Sequence, residues 1–314
     1  MSRYDRDEGA DEICDSRVRR PAESSTGQET SEARGQGGGS VTAPEQASRY
    51  AIRPGKVRNA AKGRRTKHLD LDRHRSYALR DSELRTLTDI GTFRVLKLDD
   101  LAAHRYGGDS AATGRDLENL RSQGLILHRT TYPDKASYVT LTKAAQRFLE
   151  AQRPPDSKPS QALYHGFVKL REARHDAAIY RLYQQEGARI EAAGGRVQRV
   201  ILDFELKRSV NRKLAKLQSL PASEHAERKR EIAEEHSLPI VNGKVALPDL
   251  RLEYEGPDQE LGKVDLELVT GDYHAKGLAA KAQTGFRMYA LPEDAARLRP
   301  ALSDPELMLD ILSL

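Results

Sequence analysis

Residues 243–271 read GKVALPDLRLEYEGPDQELGKVDLELVTG, and this stretch alternates apolar and polar residues twice. A period of two is the signature of a strand with one buried face, because successive side chains point to opposite sides of a sheet. In KVALPDLRLEYE, Leu250, Leu252 and Tyr254 fall on one face, and Asp249, Arg251 and Glu253 on the other. In KVDLELV, Val264, Leu266 and Leu268 share a face, with Asp265, Glu267 and Val269 opposite. If the two strands are neighbours, Asp249, Asp265 and Glu267 converge on one polar strip. Crowded carboxylates repel unless a cation sits among them, and hard divalent ions such as Mg²⁺ select all-oxygen sites.

The surrounding chain is long enough for two ordinary domains. Its 314 residues are 38% hydrophobic and carry a formal net charge of +5. No apolar run approaches the length of a spanning helix, and the charged start MSRYDRDEGADEICD is unlike a secretory signal, so the expected location is cytoplasmic with no membrane partner. Cys14 stands alone, which leaves no internal disulfide and no thiolate zinc site.

Residues 1–79 are expected as a disordered tail, since residues 1–50 are rich in Gly, Ser, Glu and Asp and almost free of large apolar groups. Its second part, 51–79, is a basic arm that includes Arg64 and Arg65 in KGRRTK. Such an arm is either a solvated linker or a phosphate-binding segment that contributes salt-sensitive, sequence-independent affinity.

Ordered patterns begin near residue 80. DSELRTLTDIGTFRVLK puts Leu84, Leu87 and Ile90 on one helical face with Ser82 available as N-cap. LDDLAAHRYG predicts a short helix ending at Gly107. DSAATGRDLENLRSQG predicts a third, capped by Asp109 or Ser110, buried through Leu117 and Leu120 and stopped at Gly124. LILHRTTYPDKASYVTLT then reads as a hairpin and KAAQRFLEAQ as a closing helix. This order, over residues 80–152, resembles a winged helix-turn-helix. The resemblance implies that the third helix enters a DNA major groove and the hairpin lies along the backbone. By position, Ser110, Thr113 and Arg115 would meet base edges or phosphates, and Arg121, Arg129 and Lys135 phosphates. Use of such a unit for protein contacts alone is the other reading.

RPPDSKPS, residues 153–160, reads as a linker to a second domain over 161–314. There ALYHGFVKLREARHDAAIYRLYQQEGARI predicts a long amphipathic helix and RVQRVILDFELK a strand. Two charged helices that look inserted follow, then the two acidic strands, and then a helix through Tyr289 with no further obvious strand. DFELK holds Glu205 and Lys207 in a literal E-x-K spacing, but it precedes the acidic strands and is read as surface alternation.

The order of helix, strand, Pro248–Asp249 on a second strand and an acidic third strand resembles the PD-(D/E)XK nuclease superfamily, whose members use such carboxylates for metal-dependent phosphodiester hydrolysis. Glu267 or Asp265 matches the acidic position; the residues two places on are Val269 and Glu267, not lysine. The resemblance therefore implies Asp249, Asp265 and Glu267 as metal and catalytic ligands, with Lys281 or Lys276 of the following helix in the lysine role. Glu172 would be the extra acid of the first helix. The whole is expected to be α+β and multidomain, a winged helix-turn-helix followed by a restriction-endonuclease-like α/β domain. It is similar to the replication-relaxation family of plasmid and mobile-element proteins. That resemblance implies double-stranded DNA as partner, relaxase or replication proteins of the element, and a homodimer as one assembly. Two functions stay open: DNA binding with Mg²⁺-dependent nicking, or a non-catalytic transcriptional regulator or relaxosome accessory whose second domain is a nuclease relic used for oligomerisation or partner binding.

Overall fold

The computed structural model describes residues 54–55, 63–70, 75–132, 135–153, 161–167, 169–271, 273–302 and 311–314. The tail over residues 1–50 and all of the expected linker except Arg153 lie outside them.

Strands β1 (Thr66–Asp70) and β2 (Arg75–Leu79) pair antiparallel, from Thr66 facing Leu79 to Asp70 facing Arg75. This part of the basic arm is therefore a ribbon, not a disordered tail. The reason is two apolar side chains at i and i+2: Tyr77 and Leu79 are buried, and the Tyr77 ring meets Phe148 edge-on at 5.0 Å.

Helix α1 (Asp81–Phe93) starts one residue before the expected cap. Glu83 accepts a hydrogen bond from the Arg80 backbone N–H at 2.7 Å, and Ser82 instead donates to Asp116 Oδ2 at 3.1 Å. Its apolar face is the expected one, with Leu84, Leu87 and Ile90 fully buried. After β3 (Leu96–Lys97), α2 (Leu98–Tyr106) ends at Gly107, whose left-handed φ of 61° lets the chain turn without a Cβ clash. Helix α3 (Ser110–Ser122) is capped by Asp109, which accepts from Ala112 N at 2.8 Å. Strands β4 (Ile126–Thr130) and β5 (Ser137–Leu141) form the expected hairpin, and β3 joins them in the order β3-β5-β4. Helix α4 (Lys143–Ala151) follows, its cap Thr142 accepting from Ala145 N at 3.2 Å.

The second half opens with α5 (Leu170–Ala192) and β6 (Arg196–Leu202). The predicted strand stops at Leu202: DFELK is the first turn of α6 (Asp203–Ala215). Helix α7 (Ala222–Glu235) packs on α6 through Val210, Leu217, Ile232 and Leu238, a small core of its own. A minimal ribbon, β7 (Ile240–Val241) with β8 (Lys244–Val245), leads to the acidic strands β9 (Leu250–Glu255) and β10 (Leu261–Val269). Then come α8 (Ala275–Ala282), β11 (Arg287–Ala290), α9 (Pro292–Leu302) and β12 (Ile311–Ser313).

The sheet order is β12-β11-β10-β9-β6, with β9 antiparallel to both neighbours and β10, β11 and β12 parallel. The helix expected through Tyr289 thus ends at Ala282, and RMYA is a strand. Gly285, at a φ of 72°, reverses the chain, and a short apolar run buried inside a parallel sheet carries no periodicity to separate it from helix.

One hydrophobic core runs through both halves. It contains Leu84, Leu87 and Ile90 of α1, Ile179, Leu182 and Tyr183 of α5, and Val200, Leu252 and Leu266 of the five-stranded sheet. Phe93 meets Tyr180 at 5.2 Å and Tyr183 at 4.9 Å. Buried Asp89 accepts from Arg105 Nε at 2.7 Å and from the Tyr180 hydroxyl at 3.2 Å, so α1, α2 and α5 also share a polar node. The fold is mixed α and β, in agreement with the expected class at that level.

Candidate carboxylate site and nucleic-acid interface

Register decides which acids meet. Across β9 and β10, Leu250 faces Leu266 and Arg251 faces Asp265. Asp249 is the residue directly before β9, and Glu267 follows the last registered pair on β10, two residues on from Asp265 and so on its pleat. Asp249 Oδ2 accepts from the Leu268 backbone N–H at 2.9 Å, which fixes the carboxylate at the end of the strand pair.

Asp265 does not join them. Arg251 Nε and Nη2 donate to its two oxygens at 2.6 and 2.8 Å, and the same guanidinium donates to the carbonyls of His236 and Ser237 at 2.6 and 3.1 Å. The expected three-carboxylate site is thus a pair, because the residue directly across the ladder from Asp265 is a cation. Among the described residues, no group of three or more His, Cys, Asp or Glu side chains is arranged to hold a metal ion.

Glu267 is only 1% exposed. Its Oε1 lies 2.5 Å from Lys281 Nζ and accepts from the Tyr273 hydroxyl at 3.1 Å. Its Oε2 is buried and has no hydrogen-bond partner among the described residues. Burial, and then the negative charge of Asp249, push its carboxyl up to about 7 against the pull of Lys281. Lys281 is thus the lysine that reaches the acids, while Lys276, on another face of α8, is exposed.

Asp249 has the opposite environment. Burial disfavours its charge, but the hydrogen bond and charge of His175, with the Leu268 N–H, hold its carboxyl below the usual range. His175 Nε2 lies 3.5 Å from Asp249 Oδ2, and its Nδ1 3.6 Å from Asp176 Oδ1. Burial works against the imidazolium, yet these two acids raise the group to about 10. Glu172, half-buried, sits three residues before His175 on α5, so both lie on one side of the helix.

His175 and Tyr273 are the neighbours that the sequence reading missed; Lys207 stands in the DFELK that it reads as surface alternation. The signal for His175 is its spacing in REARHD, at i+3 from Glu172 and directly before Asp176.

Of the residues expected to meet DNA, Ser110 and Arg115 are exposed on α3, and Arg121 is exposed with Glu118 as an ion partner at 2.9 Å. Thr113 points inward: it is buried, and its hydroxyl donates to the Asp109 carbonyl at 2.8 Å, so it is not a base reader. Arg129 is exposed with its guanidinium 4.7 Å from the Phe167 ring, and Lys135 is exposed at the hairpin turn. Arg64 is exposed, but Arg65 is committed to buried Glu83, Nη2 to Oε1 at 2.8 Å, and is removed from the set of phosphate contacts. Among the described residues no helix is long and apolar enough to cross a membrane.

No family model, no curated protein and no solved structure matches the chain.

Proposed function

We propose that this chain binds double-stranded DNA through a winged helix-turn-helix over residues 80–152 and cleaves or nicks it at a divalent-metal site on Asp249 and Glu267. One observation carries the reading: the Asp249 carboxylate, at the foot of β9, is anchored on the backbone N–H next to Glu267 of β10, and a lysine from the next helix lies against Glu267. The order of α5, β6, β9, β10, α8 and β11 supports it, being that of the PD-(D/E)XK nucleases with the lysine moved to the helix. For the first half, α3 ahead of the β4–β5 hairpin has the arrangement of a recognition helix and wing.

The residues fit Mg²⁺. That ion typically takes one or two protein carboxylates and completes its shell with water and substrate phosphate, so a pair suffices. The orphaned Oε2 of Glu267 is a buried acceptor that a cation would satisfy. When bound, the metal supplies an activated water and charge stabilisation on the phosphoryl oxygens. The chain's own groups do the rest. His175 and the Leu268 N–H keep Asp249 ionised and oriented, Tyr273 orients Glu267, and Lys281 brings positive charge to the place where a phosphate would lie.

A second reading, a DNA-binding regulator or relaxosome accessory without chemistry, is favoured by the pairing of both acids with internal cations, Lys281 on Glu267 and His175 on Asp249. Supercoiled plasmid incubated with the protein and Mg²⁺ or Mn²⁺ separates the two. The nuclease reading expects nicking that Asp249→Ala abolishes; DNA binding with no nicking by the wild type leaves the regulator. The setting of a mobile element, with its relaxase or replication proteins as partners, is the part of the proposal that rests on the replication-relaxation resemblance.

A further inference from the structure

Helix α6 begins against the acidic pair. The Asp203 backbone N–H donates to the Asp249 carbonyl at 3.1 Å, so the first turn of α6 is tied to the residue that carries one of the two carboxylates. Lys207 lies four residues on, one turn along the same side of the helix. Its ammonium is 2.6 Å from Asp203 Oδ2, and its side chain remains 53% exposed.

An exposed i,i+4 ion pair is worth only about 0.3–0.5 kcal/mol, so stability alone is a weak reason for this lysine. Its surroundings suggest another. The charges of Asp203, Asp249 and Glu267 all act on it and raise it above the ordinary lysine value although burial opposes this. It is a permanent cation on a flexible stem, within the electrostatic reach of both acids, and its present partner is a solvent-accessible carboxylate that a phosphate can replace.

We propose that Lys207 is a phosphate-contacting residue of the carboxylate site, carried to it by α6, and that it grips the DNA backbone next to the phosphate that a divalent cation on Asp249 and Glu267 would engage. This rests on the reading of that pair as a phosphodiester site, and it makes the first turns of α6 part of the substrate surface. A lysine contributes here as a point charge, so arginine should substitute for it in large part.

The test measures anisotropy of a short, fluorescein-labelled, random-sequence duplex in Ca²⁺ across a salt series, with plasmid nicking in Mg²⁺ alongside. The proteins are the wild type, Lys207→Ala, Lys207→Arg and, as control, Lys229→Ala on the far arm. Lys207→Ala is expected to weaken duplex binding several-fold and to lower the slope of log K against log salt by about 0.9, the loss of one phosphate contact. Lys207→Arg should restore both, and thermal melting should be unchanged, which a purely structural lysine would not predict. If Lys207→Ala binds and nicks as the wild type does, the proposal is wrong while the nuclease reading stands. If the wild type never nicks but Lys207→Ala still loses the contact, the nuclease reading fails and Lys207 remains a phosphate ligand. A wild type that does not bind the duplex overturns both.

Discussion

Arg251 grips Asp265 through two nitrogens, at 2.6 and 2.8 Å, two residues along β9 and β10 from Asp249 and Glu267. That fork divides the acidic strip into a structural half and a half open to chemistry. Both partners of the fork are largely buried, so removal of the carboxylate strands a guanidinium.

Asp265→Ala is therefore expected to destabilise the fold by about 3–5 kcal/mol, the usual cost of orphaning a buried charge. Asp249→Ala also strands the Leu268 N–H and takes one of its two acids from His175, so it should cost some stability as well, and in addition abolish nicking. Urea unfolding of both variants beside the plasmid assay checks the division. Nicking that survives Asp249→Ala, or that folded Asp265→Ala has lost, would refute it.

Glu267 ties stability to pH. Its folded value, about 7, lies above the ordinary glutamate value of 4.5, so the folded state holds a proton that the unfolded state has released. Stability from this group is present below the unfolded value and declines as pH rises through 4.5 to 7. Glu267→Gln should flatten that decline and raise metal-free stability at pH 8 by on the order of 2 kcal/mol. The same proton competes with a cation, so Mn²⁺ heats by calorimetry should grow between pH 6 and 8 in the wild type and vanish in Glu267→Gln.

On α3, exposure separates reader from scaffold. Arg115→Ala should weaken binding to a selected duplex by about 1–3 kcal/mol and leave melting unchanged. Thr113→Ala should do the reverse, with a small loss of stability, about 1 kcal/mol, from the missing hydrogen bond to Asp109, and no change in sequence preference. Binding selection from a randomised duplex pool, with melting curves, distinguishes them.

The joint between the halves is the Asp89, Arg105 and Tyr180 node. Arg105→Ala leaves Asp89 buried without its cation and is expected to cost about 3–5 kcal/mol. Because the hydrophobic core is shared across α1, α5 and the large sheet, unfolding of that core should stay a single transition by both near-ultraviolet and far-ultraviolet dichroism.

Local chemistry alone determined much of this molecule. The alternation of apolar residues in KVALPDLRLEYE and KVDLELV specified two strands and their polar face, and the helical spacing of Leu84, Leu87 and Ile90 specified the buried side of α1. Gly107 and Gly124 marked helix ends because only a left-handed residue turns the chain there without strain. Tertiary structure decided the rest. Strand parity gives the face of an acid but not its rung, and it was register that placed Arg251 opposite Asp265, while a hydrogen bond to the Leu268 N–H set Asp249 beside Glu267. The strand at Arg287–Ala290 was hidden because both its faces are buried, which erases the alternation that identifies a strand. His175 reaches Asp249 from α5, and the first turn of α6, which carries Lys207, is tied to the Asp249 carbonyl. Spacing puts His175 on the side of α5 that carries Glu172, but how α5 and α6 pack on the sheet is decided by long-range contacts.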